Sequence, residues 1–205
     1  MFYWFAYGII IILSKIFCPC RFTGQENLPK GSFILASNHI SNLDPLILGL
    51  SCARKFGYIA KDSLFKNKLF SVVLHLVGTF PIKRDSSDVG AIKEALKRLE
   101  RGTPIIMFPE GTRGGYARTQ KVHSGIALIA IKSGVPVIPA YIQGSDQVLP
   151  KGTIWPRRRL VHVTIGSPVK LSADQSYPEM AEHIMKEILR FSPAPEDCKL
   201  KCDKK

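Results

Sequence analysis

Short apolar runs bounded by turn residues alternate along this chain with stretches whose apolar positions recur every three or four residues. Phe33-Ile34-Leu35-Ala36, Phe56-Gly57-Tyr58-Ile59-Ala60, Gly78 to Arg84, Pro104-Ile105-Ile106-Met107-Phe108 and Val135 to Ile142 read as strands. Leu160 to Gly166 alternates apolar and polar residues as a further strand does. Between them lie helical patterns. Pro45-Leu46-Ile47-Leu48 opens a short helix reaching about Ala53, with Asp44 at the cap and Pro45 at the first helical position. Lys61 to Phe65 opens another, continued by Leu69, Val72, Val73 and Leu76. Val89, Ile92, Ala95, Leu96 and Leu99 form a third, stopped at Gly102. Ile126 to Ile131 is an apolar helix ended by Gly134. Ser176-Tyr177-Pro178-Glu179 resembles a capping box, ahead of Met180, Ile184, Ile188 and Phe191 on one helical face. Strands alternating with helices predict an α/β fold: a single domain with a mixed, largely parallel sheet flanked by helices.

The two ends differ from this middle. Phe2 to Cys18 is apolar and aromatic, yet shorter than the roughly 20 residues that comfortably span a bilayer. It has neither a basic leader nor a small-residue cleavage site, which argues against a signal peptide. A shallow or monotopic membrane anchor is the expectation, with the aromatic rings at headgroup level; a helix packed on the domain's own core is the alternative. The tail from Ser192 is rich in Pro and Lys and is expected to be disordered. The predicted organisation is a membrane-associating segment over 1–20, the domain over 21–191 and a basic tail over 192–205.

Charge narrows the partners. Lys and Arg number 29 against 16 acidic residues, a formal charge of +13, which favours anionic partners. Zinc-finger spacing, an RNA-recognition aromatic motif and a helix-turn-helix signal are all missing from the sequence, so no nucleic-acid partner is expected. Trp155 with Arg157-Arg158-Arg159 reads either as a patch on an anionic lipid surface or as a solvated loop. Five scattered cysteines form no disulfide framework and read as reduced thiols. The histidines lack metal-ligand spacing, so no metal is expected. No nucleophile elbow of the G-x-S-x-G kind and no Gly-rich nucleotide loop is present.

The candidate chemistry lies in Asn38-His39-Ile40-Ser41-Asn42-Leu43-Asp44, on a strand-to-helix connection. If the loop folds back, the Asp44 carboxylate reaches the His39 ring. It then fixes the tautomer and leaves the other ring nitrogen free to take a proton. Read alone, the stretch is better taken as Asp44 capping a helix and His39 standing in a loop. A second stretch, Phe108-Pro109-Glu110-Gly111-Thr112-Arg113, follows an apolar strand with a turn. Gly111 permits backbone angles closed to other residues, and turn amides with Arg113 can cradle an anion.

Together the two stretches resemble the glycerolipid acyltransferase family, the 1-acylglycerol-3-phosphate acyltransferases, which carry an N-H-x4-D block followed by an F-P-E-G-T-R block. Gly78 to Arg84 is similar, more loosely, to the family's second block, and Val135-Pro136-Val137-Ile138-Pro139 to its fourth. The resemblance implies transfer of a fatty acyl group from acyl-CoA or acyl carrier protein to lysophosphatidic acid at the cytoplasmic face of a membrane. No cofactor beyond the thioester co-substrate is implied. His39 and Asp44 would be catalytic. Arg84, Glu110, Gly111, Thr112 and Arg113 would hold the substrate phosphate, with Glu110 orienting Arg113 or a backbone amide. The chain departs from the family where Phe-Lys-x-Gly is common: here the segment is Val122-His123-Ser124-Gly125, with Lys121 just before it. Another acceptor, such as glycerol-3-phosphate or another lysolipid, and a catalytically silent lipid-binding scaffold are the other readings.

Overall fold

The structure, a computed structural model, describes residues 2–61, 71–72, 78–82, 89–111, 122–150, 152–153, 155–172 and 174–193. Among the described residues seven strands form one sheet: β1 (Cys20–Thr23), β2 (Ile34–Ser37), β3 (Gly57–Lys61), β4 (Thr79–Ile82), β5 (Ile105–Met107), β6 (Val137–Gln143) and β7 (Val161–Ile165). Their spatial order is β1-β7-β6-β2-β5-β3-β4. The run from β6 to β4 is parallel throughout, β7 joins β6 antiparallel, and β1 pairs with β7 in parallel. The mixed, mostly parallel sheet read from the sequence is therefore present. β1, which had no strand signal beyond its position in a turn-rich approach, is added to it.

The helices bounded among the described residues are α1 (Phe2–Phe17), α2 (Asp44–Gly49), α3 (Val89–Glu100), α4 (Gly125–Ser133), α5 (Ser145–Val148) and α6 (Tyr177–Leu189). Strand side chains alternate between two cores. Ile34, Ile105 and Val137 join Ala95 and Leu99 of α3, Ile126 and Ala130 of α4, and Ile184 and Ile188 of α6 on one face. Phe33, Leu35, Ile106 and Ile138 join Ile47 and Leu48 of α2 and Val148 of α5 on the other. β2, its four residues buried, lies between these two layers, as its unbroken apolar sequence requires.

Three expectations change. Leu43, not Asp44, is the cap of α2, and Asp44 is the first helical residue. Pro45 still fits, because an amide in the first turn has no partner within the helix. α2 stops at Gly49 instead of reaching Ala53, and the bends that follow carry the chain to β3. The last apolar face ends at Leu189, and Phe191 beyond it packs against Gly166. The capping box is as read: Ser176 Oγ accepts from the Glu179 amide, and the Glu179 side chain accepts from the Ser176 amide. Residues 62–70 and 73–77, which hold most of the helix expected after Lys61, lie outside the described residues, as does the tail from 194.

Candidate active site

β6, β2 and β5 are adjacent and parallel, so their carboxyl ends open on one edge of the sheet, where open α/β sheets bind ligands. β2 gives His39, β5 gives Phe108 to Gly111, and β6 gives Ser145. Asn38 fixes the point at which the chain leaves β2. Its amide nitrogen donates to Ile142 O at 2.9 Å, and its oxygen accepts from Ile142 N at 2.7 Å. The buried side chain thus adds one more rung between β2 and β6.

The loop then turns back on itself. His39 Nδ1 lies 2.9 Å from Asp44 Oδ2. The same oxygen accepts the amides of Ile40 and Ser41, each at 2.7 Å. Asp44 Oδ1 accepts the hydroxyl of Ser145 at 2.6 Å. An ionised carboxylate only accepts, so Nδ1 carries the proton and Nε2 keeps its lone pair. The carboxylate itself is fully buried, while the His39 side chain is 12% exposed, enough for one ring edge to meet a substrate. The Phe108 ring stacks on the imidazole, with centroids 4.1 Å apart and planes 19° from parallel, and so fixes the ring plane.

Glu110 supports the same histidine from its other side. Its Oε1 accepts the His39 backbone amide at 3.2 Å. The side chain is buried, and Oε2 has no hydrogen-bond partner among the described residues. Burial pushes the Glu110 carboxyl up to about 7. The His39 amide pulls the other way, and the nearby Asp44 charge adds to the rise. Gly111 takes φ +66°, and its amide donates to Phe108 O at 3.0 Å, closing a tight turn. His123 stands over that turn: its amide donates to Pro109 O at 2.9 Å, and a Cβ built on Gly111 would lie 2.6 Å from its ring. The position that departs from the family's Lys therefore borders the Phe108–Gly111 turn.

The structure thus brings His39, Asp44, Glu110 and Gly111 together. Arg84, Thr112 and Arg113 lie outside the described residues. The sequence reading missed Asn38, Phe108 and Ser145 as parts of the site. Asn38 and Phe108 stand inside the two quoted blocks, which was signal enough. Ser145 follows an ordinary strand and is marked only by the Gly144 turn.

A model of the family described as Acyltransferase matches residues 19–143, which span the dyad, the turn and β6. The chain belongs to the Acyltransferase family. This acyltransferase-family chain is 31% identical over 169 residues to 1-acyl-sn-glycerol-3-phosphate acyltransferase BAT2, chloroplastic, of Brassica napus, covering 78% of itself and 49% of that protein. It is 31% identical to 1-acyl-sn-glycerol-3-phosphate acyltransferase of Bacillus subtilis, covering 69% of itself and 71% of that protein. The crystal structure of the 1-acyl-sn-glycerophosphate (LPA) acyltransferase PlsC from Thermotoga maritima superposes with a TM-score of 0.70 at 27% identity, covering 92% of this chain and 79% of that one. The chain spans half or less of the length of the chloroplastic relatives from Brassica napus and Arabidopsis thaliana, 49% and 39%.

Proposed function

We propose that the chain is an O-acyltransferase that moves a fatty acyl group from acyl-CoA or acyl carrier protein to the free hydroxyl of lysophosphatidic acid, giving phosphatidic acid. The observation that carries the reading is the 2.9 Å contact between His39 Nδ1 and Asp44, which leaves Nε2 free as a base. Nε2 takes the hydroxyl proton as the acceptor oxygen bonds to the thioester carbonyl carbon. The resulting intermediate collapses by breaking the carbon–sulfur bond, and the imidazolium returns its proton to the leaving thiolate. No protein nucleophile enters, because the acceptor attacks directly. A base of this kind contributes about 10²–10⁴-fold, so the acceptor must also be held in place. That task falls to the Gly111 turn with Thr112 and Arg113, to Arg84, and to His123 at the turn's edge. Glu110 serves the histidine amide.

An apolar cavity of about 220 Å³ between α1 and α2 supports a fatty acyl substrate. Phe17, Leu43, Leu46, Leu50 and Val148 line it, and Leu43 is the residue before Asp44 in the sequence. Membrane association is supported by α1. Phe5, Ile9, Ile12 and Ile16 repeat at helical spacing and are all exposed, a stripe that water disfavours and a lipid surface accepts. Among the described residues no helix is long and apolar enough to cross a membrane. Trp155 and Arg157 to Arg159 are exposed, and the Arg159 amide donates to Phe17 O at 3.2 Å, tying that basic loop to the end of α1. Anionic headgroups fit such a loop.

The test is acyl transfer by purified protein in detergent, with acyl-CoA or acyl carrier protein as donor and lysophosphatidic acid or glycerol-3-phosphate as acceptor. Phosphatidic acid formation that is lost in folded His39→Ala and Asp44→Ala supports the proposal. Full activity in His39→Ala refutes the base assignment, and silence of the folded wild type with every pair refutes the reaction.

A further inference from the structure

We propose that Ser145 is a positioning residue for the His39–Asp44 pair, holding the carboxylate from the side opposite the histidine. The proposal rests on the base role given to His39 above. It begins with the acceptors on Asp44. Oδ2 takes its three donors, the His39 ring and the Ile40 and Ser41 amides, from its own loop. Among the described residues, the partner of Oδ1 is the Ser145 hydroxyl at 2.6 Å. That bond reaches across 101 residues of sequence to the junction of β6 and α5. It ties the carboxylate to the sheet, where the other three bonds tie it only to the turn it belongs to.

The backbone is shaped for this contact. Gly144 turns at φ +90°, and a Cβ there would lie 2.8 Å from Leu160 O, so a side chain at this position would strike backbone. The turn brings Ser145 inward, and no part of it reaches solvent. The carboxylate has no proton to give, so the hydroxyl donates, at a separation in the range of charge-assisted bonds. Without it, Oδ1 is a buried acceptor with no partner. The carboxylate then relieves that loss by rotating or by admitting water. Either change redirects Oδ2 at the His39 ring and moves Nε2 relative to the acceptor hydroxyl. Ser145 is buried beneath the carboxylate and acts through Asp44, so its removal weakens the chemical step and leaves acceptor binding in place.

The experiment compares wild type, Ser145→Ala, Ser145→Cys, Asp44→Asn and the Ser145→Ala/Asp44→Asn double variant, as full chains. It reads thermal melting, kcat and acceptor KM with acyl-CoA and lysophosphatidic acid, and the downfield proton resonance of His39 Nδ1–H, identified by its absence from His39→Gln. Ser145→Ala is expected to lose kcat on the order of ten- to a hundredfold, the range for one hydrogen bond to a charged group. KM is expected to stay within about twofold, the pattern of an interaction felt in the transition state. Ser145→Cys, a weaker donor, falls between wild type and Ala. In the Asp44→Asn background Ser145→Ala removes nothing further, because the two act as a unit. The downfield resonance moves or broadens in Ser145→Ala. Wild-type kcat with an unmoved resonance overturns the proposal, as do losses that simply add in the double variant. Should Ser145→Ala not fold, Ser145→Cys decides: reduced kcat with wild-type melting supports the role, and unchanged kcat overturns it. If the wild type transfers no acyl group, the base reading fails, while the resonance arm still decides whether Ser145 sets the geometry of the pair.

Discussion

Replacing Glu110 by Gln removes a proton-binding group from beside the His39–Asp44 loop and leaves its shape almost unchanged. The glutamine oxygen can still accept the His39 amide, as Oε1 does now. What disappears is ionisation. Glu110 titrates near 7 in the folded protein, against an ordinary 4.5, because its burial penalises the charged form. The folded chain therefore holds this proton more tightly than the unfolded chain does. The associated stability is fully present below about pH 4.5 and is lost as pH rises towards about 7. At about 1.4 kcal/mol per pH unit, the interval from 4.5 to about 7 corresponds to about 3 kcal/mol. Urea unfolding of wild type and Glu110→Gln at half-unit steps from pH 4 to 8 measures it. Groups common to both proteins contribute to both curves, so the difference reports on position 110 and its interaction with Asp44. Wild type should lose about 3 kcal/mol relative to the variant across the window and run parallel to it above. A difference that stays flat, or that favours wild type as pH rises, refutes the claim that a buried, raised carboxyl supports the loop.

Asn38→Ala leaves both polar groups of Ile142 without their side-chain partner inside the sheet, and should cost about 2–6 kcal/mol in urea unfolding, at about 1–3 kcal/mol for each orphaned buried group; an unchanged midpoint would show that the extra rung is dispensable. Gly111→Ala must hold φ +66° with a Cβ 2.6 Å from the His123 ring, so it should raise acceptor KM several-fold with unchanged circular dichroism, and a wild-type KM would refute the acceptor-holding role proposed for the turn. Deleting residues 1–17 should release the protein from sedimenting anionic liposomes, and undiminished sedimentation would move membrane contact elsewhere.

The layout of the sheet was legible because its signal is local. Ile34, Leu35 and Ala36 are buried on both faces, and a strand so placed has no polar positions to blur its pattern. β1 was not legible. Its burial alternates between half-buried and exposed, and its place at the sheet edge comes from pairing with β7, about 140 residues later. The same division runs through the site. His39 and Asp44 share one turn, so their spacing made the contact possible, and the second block, Phe108 to Arg113, made it the reading. Ser145 reaches Asp44 only because β6 lies beside β2, and sequence spacing carries no trace of that adjacency.

Asp44 shows how a correct pairing can arise from a wrong local assignment. Read as the cap of α2, its carboxylate would have been spent on the helix's own first amides. The structure moves the cap to Leu43, which makes no side-chain capping bond. Asp44 turns its carboxylate back towards Ile40 and Ser41 instead, closing the loop that precedes the helix. Those two amides hold the same oxygen that meets the histidine, so the loop conformation and the ring orientation are set by one atom. A substitution of Asp44 therefore removes the loop's anchor together with the ring's partner. Loss of turnover in Asp44→Ala alone cannot separate these effects. Asp44→Asn keeps one oxygen for the amides and withdraws the charge from the ring, so it isolates the electrostatic part.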